Sequence, residues 1–480
     1  MRPKQETMQY ESPRGLCAAL SLITLGAGAW TGCASTAPAE PAPPPLALAS
    51  AEGHRAPGHG APGAADESQE LPADAELDQL IAHAIAANPG LRAARERWLA
   101  AREKAPQVAT LPDPTLRLRT FVEEVETRVG PQELGLGLSQ TLPWFGKLGL
   151  REEVASARAE AEGARYTAVV LAVIEEVQSA WYELYYLERS IATVRENRDL
   201  LRGLEEVLRT RYATGGTSYA DLLRSQVELG RLGDRLSSLE DRRRPAHARL
   251  NAALHRSPDA PILAPVELAQ VGLLRGPAEL RDRMEESNPG LLALRHEQVA
   301  AERGVELADI ARRPDVTVGI EYIGTGSAVN PATPGSGDDP LIASLSFTLP
   351  IYGNRYRAIE REARARQRGA LAAIQAEVDR LHAALESEAF HARDAERQIG
   401  LYRDTLVPRA RQSFAATETA FRASEAGFMD LVDAERVLLE FELALERART
   451  DRALAVARLE RLVGGSVTTE EGIAEEGEQR

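Results

Sequence analysis

The sequence predicts a membrane protein of mixed α and β structure, built from two copies of a strand–strand–long-helix unit. Three observations support this prediction: landmarks that return after roughly 200 residues, strand segments with alternating apolar and polar residues, and helical segments of roughly 60 residues with coiled-coil spacing. Aromatic residues make up only 5% of the 480 residues. Such a composition is typical of long helices packed on small side chains.

The charge of the chain argues against one class of partner. Its formal net charge is −15 and its isoelectric point is about 5.3. Because nucleic-acid phosphates would be repelled by such a surface, we expect no nucleic-acid partner. Solubility alone is an equally ordinary reason for an acidic surface.

The first 32 residues are predicted to be a secretory signal peptide. Three basic residues precede an apolar run over residues 15–30, which is short for a membrane span and suits a signal sequence. The run ends in Thr31-Gly32-Cys33, which resembles a bacterial lipobox, so Cys33 is the expected lipidation site. Trp30 departs from that pattern, because Leu is usual there, and an ordinary signal peptide cleaved further on is the alternative.

Residues 33–75 are rich in Ala, Pro and Gly and are predicted to be a semi-extended tether carrying the lipid. The tether contains His54 and His59, and two His in a flexible segment make a poor metal site. Cys17 would leave with the signal peptide, so Cys33 would have no disulfide partner. We expect no cofactor and no protein-borne metal. The last segment, residues 466–480, is an acidic tail.

Between tether and tail, the chain is predicted to consist of two repeats, residues 76–262 and 263–465. Short landmarks return in the same order with small insertions, which indicates a duplicated half rather than a solenoid. The paired landmarks are Asn88-Pro89-Gly90-Leu91 with Asn288-Pro289-Gly290-Leu291, Ser139–Gly146 with Ser346–Gly353, and Asp221-Leu222-Leu223 with Asp430-Leu431-Val432.

Each repeat is predicted to begin with one helix, over residues 77–110 or 277–312, followed by two strands. Apolar residues occupy every second strand position and small or polar residues lie between them, as in a strand with one face exposed to water. A soluble antiparallel sheet would show the same alternation; the small, polar second face together with the lipobox favours a membrane barrel. Turn-rich loops over residues 123–132 and 324–340 are expected to face the exterior.

A very long helix is predicted after each strand pair, the first over residues 148–210. Its apolar residues alternate at spacings of three and four, which predicts coiled-coil packing. The positions are Val177, Ala180, Leu184, Leu187, Ile191, Val194, Leu201 and Leu208, and in the copy Leu371, Ile374, Val378, Leu381, Leu385, Ala392, Ala395, Ile399, Tyr402 and Leu406. Pro408 should bend the second rod near its far end. A coiled helix then returns to about Leu254 or Leu462.

Four strands cannot close a barrel, because small barrels need about eight. An open sheet in lipid would leave unpaired edge groups, each costing several kcal/mol. Several copies of the chain must therefore close the barrel together. Three copies would supply twelve strands, although the residues alone do not determine that number.

These features together resemble the TolC-like outer-membrane efflux factors, over roughly residues 75–465. The resemblance rests on the duplicated unit, the two Ser-x-Thr-Leu-Pro-x-x-Gly motifs and the helix–turn segments at Tyr212–Leu223 and Phe421–Val432. The version Thr141–Lys147 is most similar to members that work with heavy-metal or cation exporters.

The resemblance implies a homotrimer in the outer membrane, with a twelve-stranded β-barrel over a twelve-helix coiled-coil periplasmic tunnel. It also implies docking to a periplasmic adaptor protein and an inner-membrane pump, so that the chain serves as the exit duct for drugs or metal cations. In the family, acidic residues at the inner helix tips narrow the periplasmic mouth. The matching positions are Asp430 and Asp433, and Asp221 is the repeat mate of Asp430.

The spacing of Asp430 and Asp433 places them on one helical face, so three copies would form a ring of about six carboxylates. Arg224, the repeat mate of Asp433, is the candidate for offsetting their repulsion. Ala426 stands where family members can carry a basic residue before the first Asp. The alternative is that one carboxylate caps its helix and the other is solvated.

Three other functions remain as alternatives. An enzyme is disfavoured, because His296-Glu297 lacks the second His of a His-Glu-x-x-His zinc site and Ala300 stands in its place. A periplasmic coiled-coil scaffold or adaptor would not need strand pairs in both repeats. The outer-membrane channel of a type I protein secretion system would use the same duct.

Overall fold

A computed structural model describes residues 71–268, 272, 274–330 and 332–468. The predicted signal peptide, Cys33, the tether up to residue 70 and the tail from residue 469 lie outside this part of the chain. None of its helices combines the length and the apolar character needed to cross a membrane.

The two repeats follow the same general order of short helices, two strands, a long helical rod and a returning helix, but the helices are broken at different places. In the first repeat the elements are α1 (Leu77–Ala87), α2 (Pro89–Arg102), α3 (Lys104–Ala109), β1 (Thr115–Thr127), β2 (Gly130–Leu142), α4 (Lys147–Ala213), α5 (Tyr219–Asp241) and α6 (Arg243–Ala253). In the second they are α7 (Pro277–Ser287), α8 (Pro289–Asp309), β3 (Val316–Thr325), β4 (Leu341–Phe347), α9 (Gly353–Leu401), a π-helical turn (Tyr402–Leu406), α10 (Val407–Arg422) and α11 (Phe428–Val463).

The prediction of one continuous helix at the start of each repeat is wrong. The helix is interrupted at Asn88 in the first repeat and at Asn288 in the second. Each Asn adopts extended backbone angles, and its side-chain oxygen caps the following helix, at 3.2 Å from Leu91 N in one repeat and 2.9 Å from Leu291 N in the other. The cause is the proline that follows each Asn, since proline disfavours a helical residue before it and suits the first helical position.

The four strands form one antiparallel sheet in the order β1-β2-β3-β4, so β1 and β4 are its two edges. The predicted loop over residues 123–132 is wrong, because β1 continues to Thr127 and β2 begins at Gly130. Val125 pairs with Gln132 after a register irregularity, and the Thr127 hydroxyl donates to the Gly130 carbonyl at 2.7 Å. The longer second connection leaves β3 after Thr325.

The long helices are confirmed. The 67 residues of α4 correspond to a rod of about 100 Å. All eight predicted heptad positions of α4 are buried. In α9, by contrast, Leu371 is exposed and the fully buried stripe starts at Leu381, beside α7 and α11.

Two helix irregularities follow from prolines. A π-helical turn at Tyr402–Leu406 precedes Pro408, at the place where the second rod is predicted to bend. Pro408 lacks the N–H that would continue the helical hydrogen-bond ladder. The returning helix of the first repeat is interrupted at Arg242, shortly before Pro245, so it is not continuous as predicted.

Candidate functional site

One face of the sheet is apolar across all four strands. In one row, Leu118 lies opposite Leu136, followed by Tyr322 and Leu341. A parallel row is Leu116, Leu138, Ile320 and Ala343. The large side chains of these rows range in exposure from 41% at Leu136 to 70% at Leu118. In the part of the chain that the structure describes, no other element covers these apolar side chains, and such an exposed patch marks an interaction or membrane surface.

The opposite face of the sheet carries small and polar residues. Arg119 and Glu321 form an ion pair at 3.2 Å. The hydroxyls of Thr141 and Thr317 lie 3.0 Å apart. The alternation in the sequence is therefore confirmed as two chemically distinct faces of one sheet, with the residues of each face aligned across the strands.

The Ser-x-Thr-Leu-Pro-x-x-Gly motif of the first repeat joins the sheet to α4. Gly146 has a φ of 87°, a left-handed conformation that glycine adopts without steric cost. The buried Lys147 then donates to the Asp315 carboxylate at 2.8 Å and to the Arg313 carbonyl at 2.7 Å. The Trp144 amide also donates to Asp315, at 2.9 Å. This junction therefore connects the first repeat to the second just below the strands.

The other end of the rods consists of two matching helical turns. Gly215, after α4, has a φ of 75°, and its repeat mate Ser424, after α10, has a φ of 64°. Both turns are closed by a backbone bond of 2.8 Å, from Gly216 to Arg211 and from Glu425 to Ala420. The duplicated sequence thus folds into duplicated tips, which present the predicted site residues at the start of α5 and α11.

Asp221 and Arg224 lie together on the first turns of α5. The Asp221 carboxylate accepts hydrogen bonds from the hydroxyls of Ser218 at 2.6 Å and Thr217 at 3.3 Å. Ser218 in return caps the Asp221 amide at 3.2 Å. Arg224 pairs with the other carboxylate oxygen of Asp221 at 3.4 Å. Asp221 therefore acts as part of the helix cap and also fixes its neighbouring guanidinium.

Asp430 and Asp433 lie together on α11, as their spacing predicts. Both line an open groove of about 340 Å³ that α11 forms with α10. The Asp430 carboxylate accepts the Gly427 amide at 3.0 Å, and Asp433 is 66% exposed and 3.4 Å from Arg436. Within a single chain, this is the alternative arrangement of a capping and a solvated carboxylate.

Arg224 lies on a different groove from the two aspartates. That groove, about 240 Å³, is formed by α5 and α11 and includes Glu228 and Arg436. Since Arg224 pairs with Asp221 inside the protomer, a contact between Arg224 and Asp433 stays a prediction about neighbouring protomers.

A buried polar cluster that was not predicted from the sequence lies directly above the tips. Glu228 of α5 is bound by Arg436 of α11, and Arg231 lies 3.5 Å from it. The guanidinium bond from Arg436 lowers the pKa of Glu228, more than burial raises it. Next to this pair, Glu435 is 1% exposed, and neither of its carboxylate oxygens has a hydrogen-bond partner among the residues that the structure describes. Burial and the neighbouring Glu228 raise the pKa of Glu435 to about 7.

A signal for Glu435 was present in the sequence. It falls four residues after Leu431 and four before Leu439, at the spacing of the buried stripe of α11. A Glu is almost never fully buried unless it is paired, so a Glu within an apolar stripe is an unusual feature. No such signal in the sequence marks Arg211. Its guanidinium joins the two tips by donating to the carbonyls of Phe421 at 2.8 Å and Arg422 at 2.7 Å.

Within the described ranges, no group of three or more His, Cys, Asp or Glu side chains is arranged to hold a metal ion.

Known proteins share this architecture. The outer membrane protein VceC of Vibrio cholerae superposes with a TM-score of 0.69 at 21% identity, over 82% of this chain and 97% of VceC. The MtrE outer membrane channel of Neisseria gonorrhoeae, in its open state, superposes with a TM-score of 0.66 at 20% identity, over 82% and 90% of the two chains.

In sequence, the outer membrane protein TolC of Vibrio cholerae is 22% identical over 322 residues, which are 65% of this chain and 72% of that protein. The family model described as outer membrane efflux protein matches residues 80–255 and 280–465, which lie in the two repeats. The match spans most of the chain in two segments, one for each duplicated half. This protein therefore belongs to the TolC-like outer membrane efflux protein family.

Proposed function

We propose that this protein is the outer-membrane exit duct of a tripartite efflux system. Drugs or metal cations would reach it from an inner-membrane pump through a periplasmic adaptor and cross it passively. The observation that carries this proposal is the four-stranded sheet, which has an uncovered apolar face and two free edges and continues into helical rods of about 100 Å.

Three protomers would close the barrel. The edge strands β1 and β4 lie on opposite sides of the sheet, so β4 of one protomer can pair with β1 of the next. Closure would satisfy the edge groups that are too costly to leave unpaired in lipid. The aligned apolar rows would then face lipid and the row with Arg119 and Glu321 would face the lumen.

Lipidation of Cys33 would add an anchor in the outer membrane. The barrel's own apolar belt would supply most of the membrane affinity, so the lipid would assist rather than determine insertion. The rods would extend into the periplasm, where their tips and adjoining grooves would meet the adaptor.

Asp430 and Asp433 would form the gate at the periplasmic mouth. The exposure of Asp433 and the common groove of the two carboxylates support this role. Repeated around an axis, they would crowd like charges at a constriction and attract cations. Asp221 and Arg224 hold the corresponding place on the first repeat's tip and would set the spacing of the mouth.

Disulfide trapping tests the assembly. Within one sheet, β1 and β4 are three strand spacings apart, about 14 Å, which is too far for a disulfide. Leu118→Cys combined in turn with cysteine at each position from 341 to 347 should therefore give covalently linked trimers for a subset of pairs. The single variants should give none. If every pair stays monomeric, or if light scattering finds a stable folded monomer, the closed-barrel proposal is wrong.

Susceptibility of a deletion strain tests the transport role. Loss of this chain should sensitise cells to a set of drugs or metal cations, and the wild-type gene should restore resistance. A strain that loses only the export of a protein, with unchanged susceptibility, would contradict the efflux role and favour a secretion channel.

A further inference from the structure

The polar face of the sheet carries two arginines near the helical end of the strands. Arg117 and Arg119 stand two and four positions after Thr115, where β1 begins. At about 3.4 Å per residue, they lie roughly 7 to 14 Å from the junction with the helices. On the proposed assembly, this is the throat where the tunnel enters the barrel.

The neighbouring strand, β2, has glycine at the two positions that pair with these arginines. Arg117 pairs in register with Gly137, and Arg119 with Gly135. A Cβ atom on Gly135 would lie 3.4 Å from both the Arg119 Cβ and the Glu321 carboxylate. β2 therefore places no side chain between the arginines of β1 and Glu321 of β3, so the Arg119–Glu321 ion pair spans it at 3.2 Å.

The charges on this part of the face do not cancel. Glu321 binds Arg119, and Arg117 makes no ion pair with any residue that the structure describes. The same face of β4, which would lie beside β1 of the next protomer, offers Ile342, Ser344 and Ser346 and thus no carboxylate. Each protomer therefore leaves one uncompensated positive charge here, in a chain whose net charge is −15.

Glu133 and Glu123 are carboxylates of the strands that lie further from the helices. Glu133 is next to Gly326, at the far end of the sheet. Glu123 is four positions beyond Arg119, about 14 Å along an extended strand. Since charges separated by more than about 8 to 10 Å are largely screened at physiological ionic strength, these groups do not neutralise Arg117.

We propose that Arg117 and Arg119 form a cationic belt in the throat of the barrel that binds small organic anions in transit, such as polycarboxylates. This inference rests on the proposed trimeric channel. Rings of Arg side chains serve anion pores in the same manner, by attracting the ion while leaving it several weak sites. The acidic gate and the cationic belt would then lie at opposite ends of the helical rods.

Ion selectivity in planar bilayers tests the belt. In a potassium chloride gradient, replacing both arginines by Gln should lower the chloride-to-potassium permeability ratio by about threefold. Glu321→Gln should shift the ratio in the opposite direction, because it releases Arg119. Arg128→Gln, which removes one positive charge at the β1–β2 turn, is the control for charge loss outside the belt and should change nothing. All of these variants keep Asp430 and Asp433, so a change in the permeability ratio is caused by the barrel and not by the gate.

Block by citrate provides the second measurement. Citrate should block wild-type channels and should need about tenfold higher concentration in the double Gln variant, whereas replacing both arginines by Lys should retain block. If the double Gln variant forms open channels with an unchanged permeability ratio and unchanged citrate block, the cationic belt is wrong and the channel proposal still stands. If wild-type protein forms no channel, the proposed function fails and the belt fails with it.

Discussion

Replacing Glu435 by Gln should stabilise the protein, although the residue lies in the core. The side chain is 1% exposed, and neither carboxylate oxygen has a hydrogen-bond partner within the described ranges. Burial and the nearby Glu228 raise its pKa from 4.5 to about 7, against the opposing influence of Arg436 and Arg235. Gln has the same shape and no charge, so it removes the cost of ionising a buried acid.

The sign of the pH dependence follows from the raised pKa. Below pH 4.5, Glu435 is protonated in the folded and the unfolded chain, so the substitution should have little effect. Between pH 4.5 and about 7, the unfolded chain releases its proton first, and the stability of the wild type falls as the pH rises. Above about pH 7 the penalty is complete and the advantage of Gln is largest.

The magnitude is about 3 kcal/mol for each protomer, because one pKa unit is worth about 1.4 kcal/mol. With roughly 400 folded residues and about 2.1 cal/mol/K of unfolding entropy for each, this corresponds to a rise in Tm of about 4 °C. The Tm difference should be close to zero at pH 4.5 and should reach its maximum by pH 8.

Thermal unfolding in detergent, followed by tryptophan fluorescence from pH 4.5 to 8.5, provides the measurement. Glu440→Gln is the matched control, because Glu440 is an exposed carboxylate on the same helix. The reasoning is refuted if Glu435→Gln gives the same Tm difference at every pH, or if Glu440→Gln produces an equal pH-dependent gain.

Two further predictions concern the gate and the anchor. If Asp430 and Asp433 form the proposed carboxylate ring, changing both to Asn should give larger single-channel conductance and weaker block by divalent cations, because the charge of the ring is lost. Asn is chosen because it can still accept the Gly427 amide bond, which Ala would remove at a cost of about 1 kcal/mol. Glu425→Gln, at the same tip, should leave both properties unchanged, and unaltered block in the double variant would exclude these residues as the gate. Cys33→Ser should abolish labelling by a lipid precursor and leave the barrel able to insert; persistent labelling would contradict lipidation at Cys33.

Periodicity in the sequence was sufficient to predict the duplicated architecture. Strand alternation and heptad spacing are local properties of the chain, because they reflect which side of one strand or helix is buried. The rod of α4 and the two faces of the sheet could therefore be predicted. The breaks at Asn88 and Asn288 were also available locally, in the Asn-Pro pairs, and the prediction of continuous helices neglected them.

Pairing between the repeats was decided by the tertiary structure. The bond between Glu228 and Arg436 joins residues 208 positions apart. The repeat mates of these two residues carry no charge, so the duplication does not predict the pair. Arg119 and Glu321 likewise meet only because β2, with glycine at the facing positions, lies between β1 and β3. Such contacts depend on the relative register and rotation of distant elements, which packing sets and which local residue patterns do not encode.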